Sequence, residues 1–575
     1  MNTKEERGVT RTRTGDGEPC TEYTPVPGLD CDLFRLRAEA LSPEQRAAAM
    51  AALWHYESRQ TEFSLGYQCN QRLEYSENLA RYLDRHVNNV GDPFQTGSTT
   101  FNTKWVERAV LDYFASLWHA KLPHDPDDRE SYWGYVLTMG STEGNLYGLW
   151  NARDYLAGRF LLIDPESAEE ARAAASNGGK RVVPPRLVYQ QAPAPESQPN
   201  ARVPVAFYSQ DTHYSIIKAM RVLDIRTFYE IGTERYPRDN PLSPGNAWPH
   251  EVPSIGGTNG IGVIDVDALA TLVEFFASRG HPILVNFNYG TTFKGAHDDV
   301  EAAGAALLPI LRRYGLDERE VHYDPRDPRK HDVRMGYWFH VDGALGAAYM
   351  PFLEMAHAAG RIATRGPNFD FRLPFVSSLV MSGHKWIGSP FPCGVYMTRT
   401  KLLLRPPSRP EYIGSPDTTF AGSRNGLSPL VLWEHLARRS YEDQMEKALY
   451  TEELSAYAER RLRELGHRLG RDLWVERAPL SLTIRFRAVN PALAFKYTLA
   501  GETLYVEGEK RQYHHVYMME HVTRERVDAF IDDLGAPGAF PAQEVIPTAP
   551  AHESHIAGRE GRLVHVPHTG RGFRG

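Results

Sequence analysis

The chain has 575 residues, a formal net charge of -7 at pH 7, and 42% hydrophobic and 11% aromatic residues, an ordinary globular composition. This charge balance, without a long basic run, excludes the usual signature of nucleic-acid binding or electrostatic membrane binding, so we expect small-molecule chemistry. The length predicts two or more domains with at least one large core.

The N-terminal sequence is polar, and no apolar run in the sequence approaches the length that spans a bilayer. We therefore expect a cytoplasmic protein that binds no membrane. The cysteines, Cys20, Cys31, Cys69 and Cys393, lack C-x-x-C spacing. This pattern supports neither a disulfide framework nor a zinc knuckle, and we expect no metal site.

Two segments of biased composition lie in the first part of the chain. Residues 1–28 are charged and rich in turn residues, which predicts a disordered or surface-draped tail. Residues 164–200 are rich in Ala, Pro, Gln and Glu and separate two periodic segments. We interpret them as an inserted excursion rather than a domain.

Strands and helices alternate between residues 203 and 381. Short apolar runs predict buried strands at 203–208, 283–287, 337–341 and 375–381. Helical spacing of apolar residues occurs between them, as in Ile216, Ala219, Met220 and Leu223, and again in Leu269, Leu272, Val273 and Phe276. The alternation predicts an α/β domain with a mostly parallel sheet, interrupted by a polar loop at 323–334.

The pattern changes after Lys401. A long charged helix is predicted over 441–465, strands over 482–486 and 515–518, and a last helix over 524–534. This order is typical of a smaller α+β domain. From residue 535 onward the sequence has no periodicity, which predicts a flexible tail.

A candidate anion site stands at a predicted helix start. Gly140-Ser141-Thr142-Glu143-Gly144-Asn145 precedes a helical pattern. Free N–H groups, the helix dipole and two hydroxyls at such a position favour a phosphate group. An ordinary N-cap explains the same residues, so the motif needs support from its surroundings.

Polar residues also follow three predicted strands. Asp342 is followed by Gly343 and Ala344, which are small enough to let a flat ring approach, and a carboxylate there keeps a pyridine nitrogen protonated. His213 begins a helix with a ring able to stack on such a pyridine, and Thr292 adds a hydroxyl. Taken singly, a loop-capping aspartate, a structural histidine and a turn threonine are equally simple interpretations.

Lys385 follows the last of these strands, in Ser382-Gly383-His384-Lys385. A lysine held there is placed to bond to a carbonyl carbon, although a surface lysine is the simpler interpretation of one residue. The ends of parallel strands meet at one sheet edge, where such sheets bind ligands. A lysine, an acid and phosphate donors at one edge together predict a site for pyridoxal phosphate (PLP).

These motifs resemble the group II PLP-dependent amino-acid decarboxylases, which have PLP fold type I, the aspartate aminotransferase fold. The likeness covers about residues 60–535 and is strongest to the histidine and serine decarboxylase branch. The long chain with its inserts also resembles actinomycete valine decarboxylases. The segments that carry the likeness are 86–94, 141–148, 211–215, 382–394 and 412–426.

The resemblance implies roles for single residues. Lys385 is the residue expected to bind the cofactor covalently, and Asp342 the residue expected to face the pyridine nitrogen. His213 and Ala344 are expected on the two faces of the ring, with Thr292 near the cofactor. The residues expected to hold the phosphate are Ser141, Thr142, Ser382 and His384.

The resemblance also implies a substrate mouth and a proton donor. Candidate parts of the mouth are Tyr67 and residues 88–94, among them Asn89 and Phe94. Many aromatic members of the family use a tyrosine from a mobile loop as the proton donor. The loop at 412–426 offers only Tyr412, at its start, which leaves Tyr412 and His384 as the alternatives.

Members of this family are typically homodimers whose active sites lie at the subunit interface, so we expect a dimer with shared sites. The implied division of the chain is a tail at 1–28, an N-terminal segment contributing to the dimer and the substrate mouth at 29–100, a PLP-binding large domain at 101–400, a small domain with the mobile loop at 401–535, and a tail at 536–575.

The function expected from this resemblance is decarboxylation of an L-amino acid to a primary amine and carbon dioxide. Valine or leucine is the leading substrate class, followed by histidine. The alternatives are an oxidative decarboxylation and deamination that gives an aldehyde, and an aminotransferase reaction. A binding scaffold without catalysis is disfavoured, because both Lys385 and Asp342 are present.

Overall fold

The computed structural model describes residues 26–36, 38–176, 186–324, 326–403 and 410–541. Most of the two predicted tails, residues 1–25 and 542–575, lies outside these ranges. Within the described residues, no helix combines the length and apolar character needed to cross a membrane.

The elements are numbered in chain order. The strands are β1 Tyr132–Leu137, β2 Arg159–Ile163, β3 Leu187–Gln191, β4 Val205–Phe207, β5 Ile283–Asn288, β6 Arg319–His322, β7 His331–Arg334, β8 Tyr337–Asp342, β9 Val376–Ser382, β10 Gly394–Arg399, β11 Thr483–Arg487, β12 Gly501–Val506 and β13 Glu509–Tyr517. The α-helices are α1 Pro43–Phe63, α2 Ser76–Leu79, α3 Lys104–Leu117, α4 Ser141–Leu156, α5 Pro165–Ser176, α6 Tyr214–Leu223, α7 Phe228–Arg235, α8 Val266–Ala277, α9 Val300–Arg313, α10 Gly346–Ala358, α11 Leu427–Ala437, α12 Tyr441–Arg468, α13 Pro491–Lys496 and α14 Arg524–Gly535.

A six-stranded sheet in the order β1-β10-β9-β8-β5-β4 forms the centre of the large domain. Strands β4, β5, β8 and β9 run parallel, while β10 and β1 continue the sheet in antiparallel pairing. Every residue of these strands is buried, which explains their continuous apolar runs. The predicted α/β fold with a mostly parallel sheet is confirmed.

The register of the parallel strands brings the C-terminal ends of β5 and β8 to one level, with β9 extending two residues further. Asn288 at the end of β5 pairs with Asp342 at the end of β8, and Asp342 pairs with Val380 in β9. Helix α4 packs across β1, β8, β9 and β10 with its N-terminus at this edge. The residues that follow these strands therefore share one edge of the sheet.

One prediction of irregular chain needs correction, and the excursion contains regular elements. The segment at 323–334 is not a loop throughout, because β6 and β7 pair as an antiparallel hairpin and His331–Arg334 is its second strand. In the excursion at 164–200, α5 is a helix and β3 pairs with β2. Both segments contain short runs whose alternate side chains pack on the domain, a pattern hidden by their polar composition.

The C-terminal part has its own antiparallel sheet in the order β11-β13-β12. Its core joins residues of β11, β13, α12 and α14, and includes Leu65 from the N-terminal segment. The backbone continues this contact, since Leu65 N donates to Tyr497 O at 3.1 Å and Tyr517 N donates to Leu65 O at 2.7 Å. The N-terminal segment is thus bound to the C-terminal sheet.

A buried ion pair joins α3 to the segment before α11. The guanidinium of Arg424 contacts the carboxylate of Glu107, and both side chains are about fully buried, at 1% and 0% exposure. Glu107 also accepts hydrogen bonds from Asn89 Nδ2 at 2.8 Å and from the backbone N–H of Val136 at 2.9 Å. Such a pair is costly to break because one charge is then left unpaired in the core.

We predict that Arg424→Ala lowers the free energy of unfolding by about 3–5 kcal/mol, because Glu107 loses its buried counterion. Urea unfolding followed by circular dichroism measures this change. Arg463→Ala removes an exposed pair with Glu459 and serves as the control that stays near wild type. An Arg424→Ala protein as stable as this control would contradict the prediction.

Candidate active site

A cavity of about 280 Å³ opens at the edge of the sheet where the parallel strands end. Ligand sites commonly measure about 300–1,000 Å³. The cavity is lined by ten of the residues singled out in the sequence, namely Tyr67, Ser141, Thr142, His213, Thr292, Asp342, Ala344, Ser382, His384 and Lys385. The structure therefore brings together residues that lie as far apart in the sequence as Tyr67 and Lys385.

Lys385 lies in the loop that follows β9 and extends into this cavity. Burial lowers the pKa of its amine, an effect that Asp342 and Cys69 partly oppose. A lowered pKa increases the share of neutral amine, which is the form that attacks a carbonyl carbon. The environment of Lys385 thus suits a nucleophilic lysine.

The loop that carries Lys385 is fixed from outside the cavity. Asn70 N donates to Lys385 O at 2.9 Å, and Lys447 Nζ from α12 donates to Trp386 O at 2.9 Å. Lys447 also pairs with Glu520 at 2.9 Å. The N-terminal segment and the C-terminal domain therefore both contribute to holding the lysine loop in place.

Asp342 ends β8 and is only 6% exposed. Its Oδ2 accepts a hydrogen bond from Asn145 Nδ2 at 2.8 Å, and its Oδ1 accepts one from Ala344 N at 3.2 Å. Donors on both oxygens fix the orientation of the carboxylate. Because Asn145 lies on α4, this contact also ties the helix that begins at Ser141 to the end of β8.

A buried chain of hydrogen bonds continues behind Asn145. His340 Nε2 lies 2.9 Å from Asn145 Oδ1, and His340 Nδ1 lies 2.7 Å from Ser378 Oγ. Because the amide nitrogen of Asn145 donates to Asp342, its oxygen accepts, and His340 Nε2 carries the proton. Burial lowers the pKa of His340 to about 4, so the ring is neutral at pH 7 and the chain orients Asn145 toward the carboxylate.

The start of α4 and the end of β9 form a cradle of hydroxyl groups. Ser382 Oγ lies 2.9 Å from Ser141 Oγ and accepts from Ser141 N at 3.2 Å. The residue before the helix is Gly140, whose φ of 71° and lack of a side chain leave this end open. A Cβ at Gly140 would meet His384 Cε1 at 2.6 Å, so the cradle needs glycine.

His213 caps the N-terminus of α6. Its Nδ1 lies 2.8 Å from Ser215 Oγ and accepts from Ser215 N at 3.3 Å. The Ser215 hydroxyl in turn lies 3.2 Å from Asn145 Nδ2. Burial lowers the pKa of His213, while Asp342 opposes the shift. His213 therefore caps helix α6, as the simpler interpretation expected. Its ring also lines the cavity, so a role in stacking on a bound ring stays a prediction.

His384 is the alternative proton donor in the cavity. Its Nδ1 lies 3.3 Å from Cys393 O, an acceptor, so this nitrogen carries the proton. Burial and the neighbouring Lys385 lower the pKa of His384 to about 4. The ring is therefore neutral at pH 7, which disfavours it as a general acid.

The structure does not place Asn89 or Phe94 at the cavity, which corrects the expectation for the substrate mouth of this chain. Asn89 is 0% exposed and is held by Glu107 and by Thr103, whose N–H donates to Asn89 Oδ1 at 2.8 Å. Phe94 stacks on His124 with ring centroids 3.7 Å apart. Both side chains are used in packing, and the motif that suggested them is structural here.

Tyr412 also lies outside the cavity of its own chain. Its side chain is 81% exposed, while the rest of its loop is anchored, because Ser98 N donates to Ile413 O at 2.7 Å and Thr418 Oγ1 donates to Asp92 Oδ2 at 2.7 Å. The cavity that contains Lys385 is not lined by Tyr412 of the same chain. A role for Tyr412 stays a prediction.

Several residues that line the cavity were missed by sequence reasoning. Besides Asn145 and Ser215, they are Gln68, Cys69, Met139, Phe293, Pro392, Ala500, His515 and Tyr517. Asn145 stands in the singled-out helix start, one helical turn after Ser141, and this spacing was the available signal. The residues of the C-terminal sheet reach the cavity only through domain packing, which the sequence pattern does not report.

Comparison with known proteins places this geometry in a family. The model for the pyridoxal-dependent decarboxylase conserved domain matches residues 255–461. Across 89% of this chain and 99% of the other, the structure is similar to L-methionine decarboxylase from Streptomyces sp. 590 in complex with L-methionine methyl ester, with 46% identity and a TM-score of 0.80. The chain belongs to the pyridoxal-dependent amino-acid decarboxylases.

Curated relatives agree with this assignment. The decarboxylase is 28% identical to histidine decarboxylase of Solanum lycopersicum over 480 residues, which is 83% of this chain and 85% of the relative. It is 29% identical to serine decarboxylase 3 of Oryza sativa subsp. japonica over 480 residues, which is 83% of this chain and 79% of the relative. The expected likeness to the histidine and serine branch is confirmed.

The cofactor of this decarboxylase is PLP, and the cavity fits it. The hydroxyls of Ser141 and Ser382 beside an uncapped helix start suit a phosphate group. The carboxylate of Asp342 suits a pyridine nitrogen, and the amine of Lys385 suits a carbonyl carbon. The donor set is therefore complete for this cofactor.

We predict that Asn145→Ala weakens PLP binding by the apoenzyme roughly 10-fold or more, because Asp342 loses a donor worth about 1.5–3 kcal/mol and the His340 chain loses its end. Titration of the apoenzyme with PLP, followed by absorbance, measures the affinity. Asn151→Ala removes a buried asparagine on the same helix and is the matched control. Equal affinities in the two variants would contradict the role of Asn145.

Proposed function

We propose that this decarboxylase acts on an L-amino acid with an apolar aliphatic side chain, with methionine first and leucine and valine next. The observation that carries this proposal is the composition of the cavity wall. Beyond the cofactor-facing residues, it includes the apolar or aromatic side chains of Tyr67, Met139, Phe293, Pro392 and Tyr517. Such a surface favours an uncharged side chain.

The charged groups of the wall support the same choice. Among the described residues that line the cavity, the only carboxylate is Asp342 and there is no arginine. Asp342 is already held by Asn145 and Ala344. A basic or acidic substrate side chain would thus be buried without an opposite charge, which is costly. Histidine, which is aromatic and partly polar, ranks behind the aliphatic acids.

Similarity supports the order of substrates. The Streptomyces methionine decarboxylase is 46% identical over most of both chains, whereas the histidine and serine decarboxylases are 28% and 29% identical. We therefore extend the expected valine and leucine class to methionine, whose flexible thioether fills an irregular apolar pocket well.

In this proposal each residue of the cavity has a separate role. PLP, when bound, supplies an electron sink for the bond that breaks at Cα. Lys385 provides a neutral amine in reach of a carbonyl carbon, Asp342 holds a positive ring nitrogen, and His213 and Ala344 confine a ring between them. Ser141, Thr142, Ser382 and His384 would hold the phosphate group, and Thr292 would lie beside the ring.

A proton must reach Cα after carbon dioxide leaves, and we assign its donor to Tyr412 of a second copy of the chain. His384 is neutral and its protonated nitrogen faces Cys393 O. Tyr412 is exposed on a loop anchored to residues 92–98. This arrangement requires a homodimer in which each site is completed by the partner, with 401–535 as the small domain that carries the loop.

The substrate proposal predicts carbon dioxide and the matching primary amine from methionine, with kcat/KM at least about 10-fold higher than with histidine, since one hydrophobic contact is worth about 1–3 kcal/mol of discrimination. The measurement is a screen of purified holoenzyme with methionine, leucine, valine and histidine. Hydrogen peroxide is assayed in parallel, because it accompanies the oxidative alternative. A higher kcat/KM with histidine than with methionine would contradict the proposed substrate order. Hydrogen peroxide formed in the same molar amount as the carbonyl product would contradict decarboxylation to the amine.

The shared-site proposal predicts complementation between two inactive variants. Lys385→Ala and Tyr412→Phe homodimers should each lose most activity, Lys385→Ala together with the absorbance of covalently bound PLP. Co-expressed with different tags and purified as mixed dimers, they should recover up to half of the wild-type activity, because one of the two sites is then intact. Mixed dimers as inactive as the parents would place Tyr412 outside the partner's site.

A further inference from the structure

The hairpin of β6 and β7 places three metal-binding side chains on one face. Glu320 and His322 are two positions apart in β6, so their side chains point to the same side of the strand. His331 begins β7 and is the register partner of His322. Directly paired residues of antiparallel strands share a face, so the hairpin brings both imidazoles and the carboxylate together.

The distances suit a single ion. One possible ligand atom from each of Glu320, His322 and His331 lies within 4.8 Å of the others. His322 Nε2 is 3.1 Å from Glu320 Oε2, and His331 Nε2 is 3.8 Å from Glu320 Oε1. The two rings are 5.2 Å apart between centroids. Small side-chain rotations convert such a cluster into three ligands of one ion.

A hydrogen bond orients the ring of His331 so that Nε2 can bind a metal ion. Its Nδ1 lies 3.1 Å from Pro328 O. A carbonyl oxygen only accepts, so Nδ1 carries the proton and Nε2, which faces Glu320, keeps its lone pair. Metal-binding histidines typically donate their second ring nitrogen to a carbonyl or carboxylate in this way.

The backbone beneath the three side chains is fixed to the large domain. Val321, between Glu320 and His322, is 0% exposed and packs with Phe160 and Ala192. At the base of the hairpin, Arg334 Nη1 donates to Arg159 O at 2.8 Å. Arg319 donates through Nη2 to Leu156 O at 2.6 Å. A rigid base lowers the entropy cost of collecting three ligands around an ion.

We propose that Glu320, His322 and His331 form a binding site for a divalent transition-metal ion of the zinc class, outside the active site. Two imidazole nitrogens and one carboxylate oxygen select zinc, copper or nickel over magnesium and calcium, which prefer oxygen ligands. The remaining coordination positions of the ion face solvent, because all three side chains are partly exposed. The site lies at the end of the hairpin next to its connecting loop, where His322 and His331 pair.

The test is zinc binding by untagged, full-length holoenzyme at pH 7.5, measured by competition with a chromophoric chelator. The expected result is one zinc site per chain that weakens at least 10-fold in His322→Ala and in His331→Ala and disappears in the double variant. His467→Ala, which removes an exposed histidine elsewhere, should bind zinc as the wild type does. All variants should keep decarboxylase activity, which shows that they fold.

Electron paramagnetic resonance with copper(II) gives a second readout. The wild type should show coupling to two imidazole nitrogens, and the double variant should lose it. Zinc binding of equal stoichiometry and affinity in the double variant, or copper without nitrogen coupling in the wild type, would overturn the site and leave an adventitious ion only.

Discussion

The parallel register of β5, β8 and β9 is the constraint on which the active site depends. Asn288 at the end of β5 is level with Asp342 at the end of β8, and Asp342 is level with Val380, two residues before the end of β9. The loops after these strands therefore start close to one another. Lys385, in the loop after β9, and Asp342, at the end of β8, thereby enter one cavity. A shift of one residue in either pairing would turn the carboxylate to the opposite face of the sheet, so the apolar packing that fixes the register also fixes the chemistry.

A second layer of polar contacts turns this shared edge into a defined site. Asn145 joins α4 to Asp342, and His340 orients Asn145 from behind. On the other side of the cavity, Asn70 and Lys447 hold the loop of Lys385. The acid and the amine are therefore positioned by different parts of the chain, the first by the large domain alone and the second by the N-terminal segment and the C-terminal domain.

The sequence pattern was sufficient to predict the fold class and most of the cavity, because Asp342, His213 and Lys385 each follow a strand and Ser141 starts a helix. Such positions depend on local periodicity. The contact between Asn145 and His340 was not predictable, since it joins residues that only the packing of α4 on the sheet brings together. Asn89 was expected at the substrate mouth because it stands in a family motif. In the structure its side chain is buried and donates to Glu107, a member of the buried ion pair with Arg424. Strands β6 and β7 were missed because their polar composition masked the alternation of buried and exposed side chains.

The position of Lys447 has a consequence for how the protein comes apart. This lysine is buried beneath the loop of Lys385, paired with Glu520 and bonded to Trp386 O. Separation of the C-terminal domain from the sheet would break the hydrogen bond from Lys447 Nζ to Trp386 O and release the loop at the same moment. Any ligand that binds only while the loop of Lys385 is in place therefore also stabilises the contact between α12 and this loop.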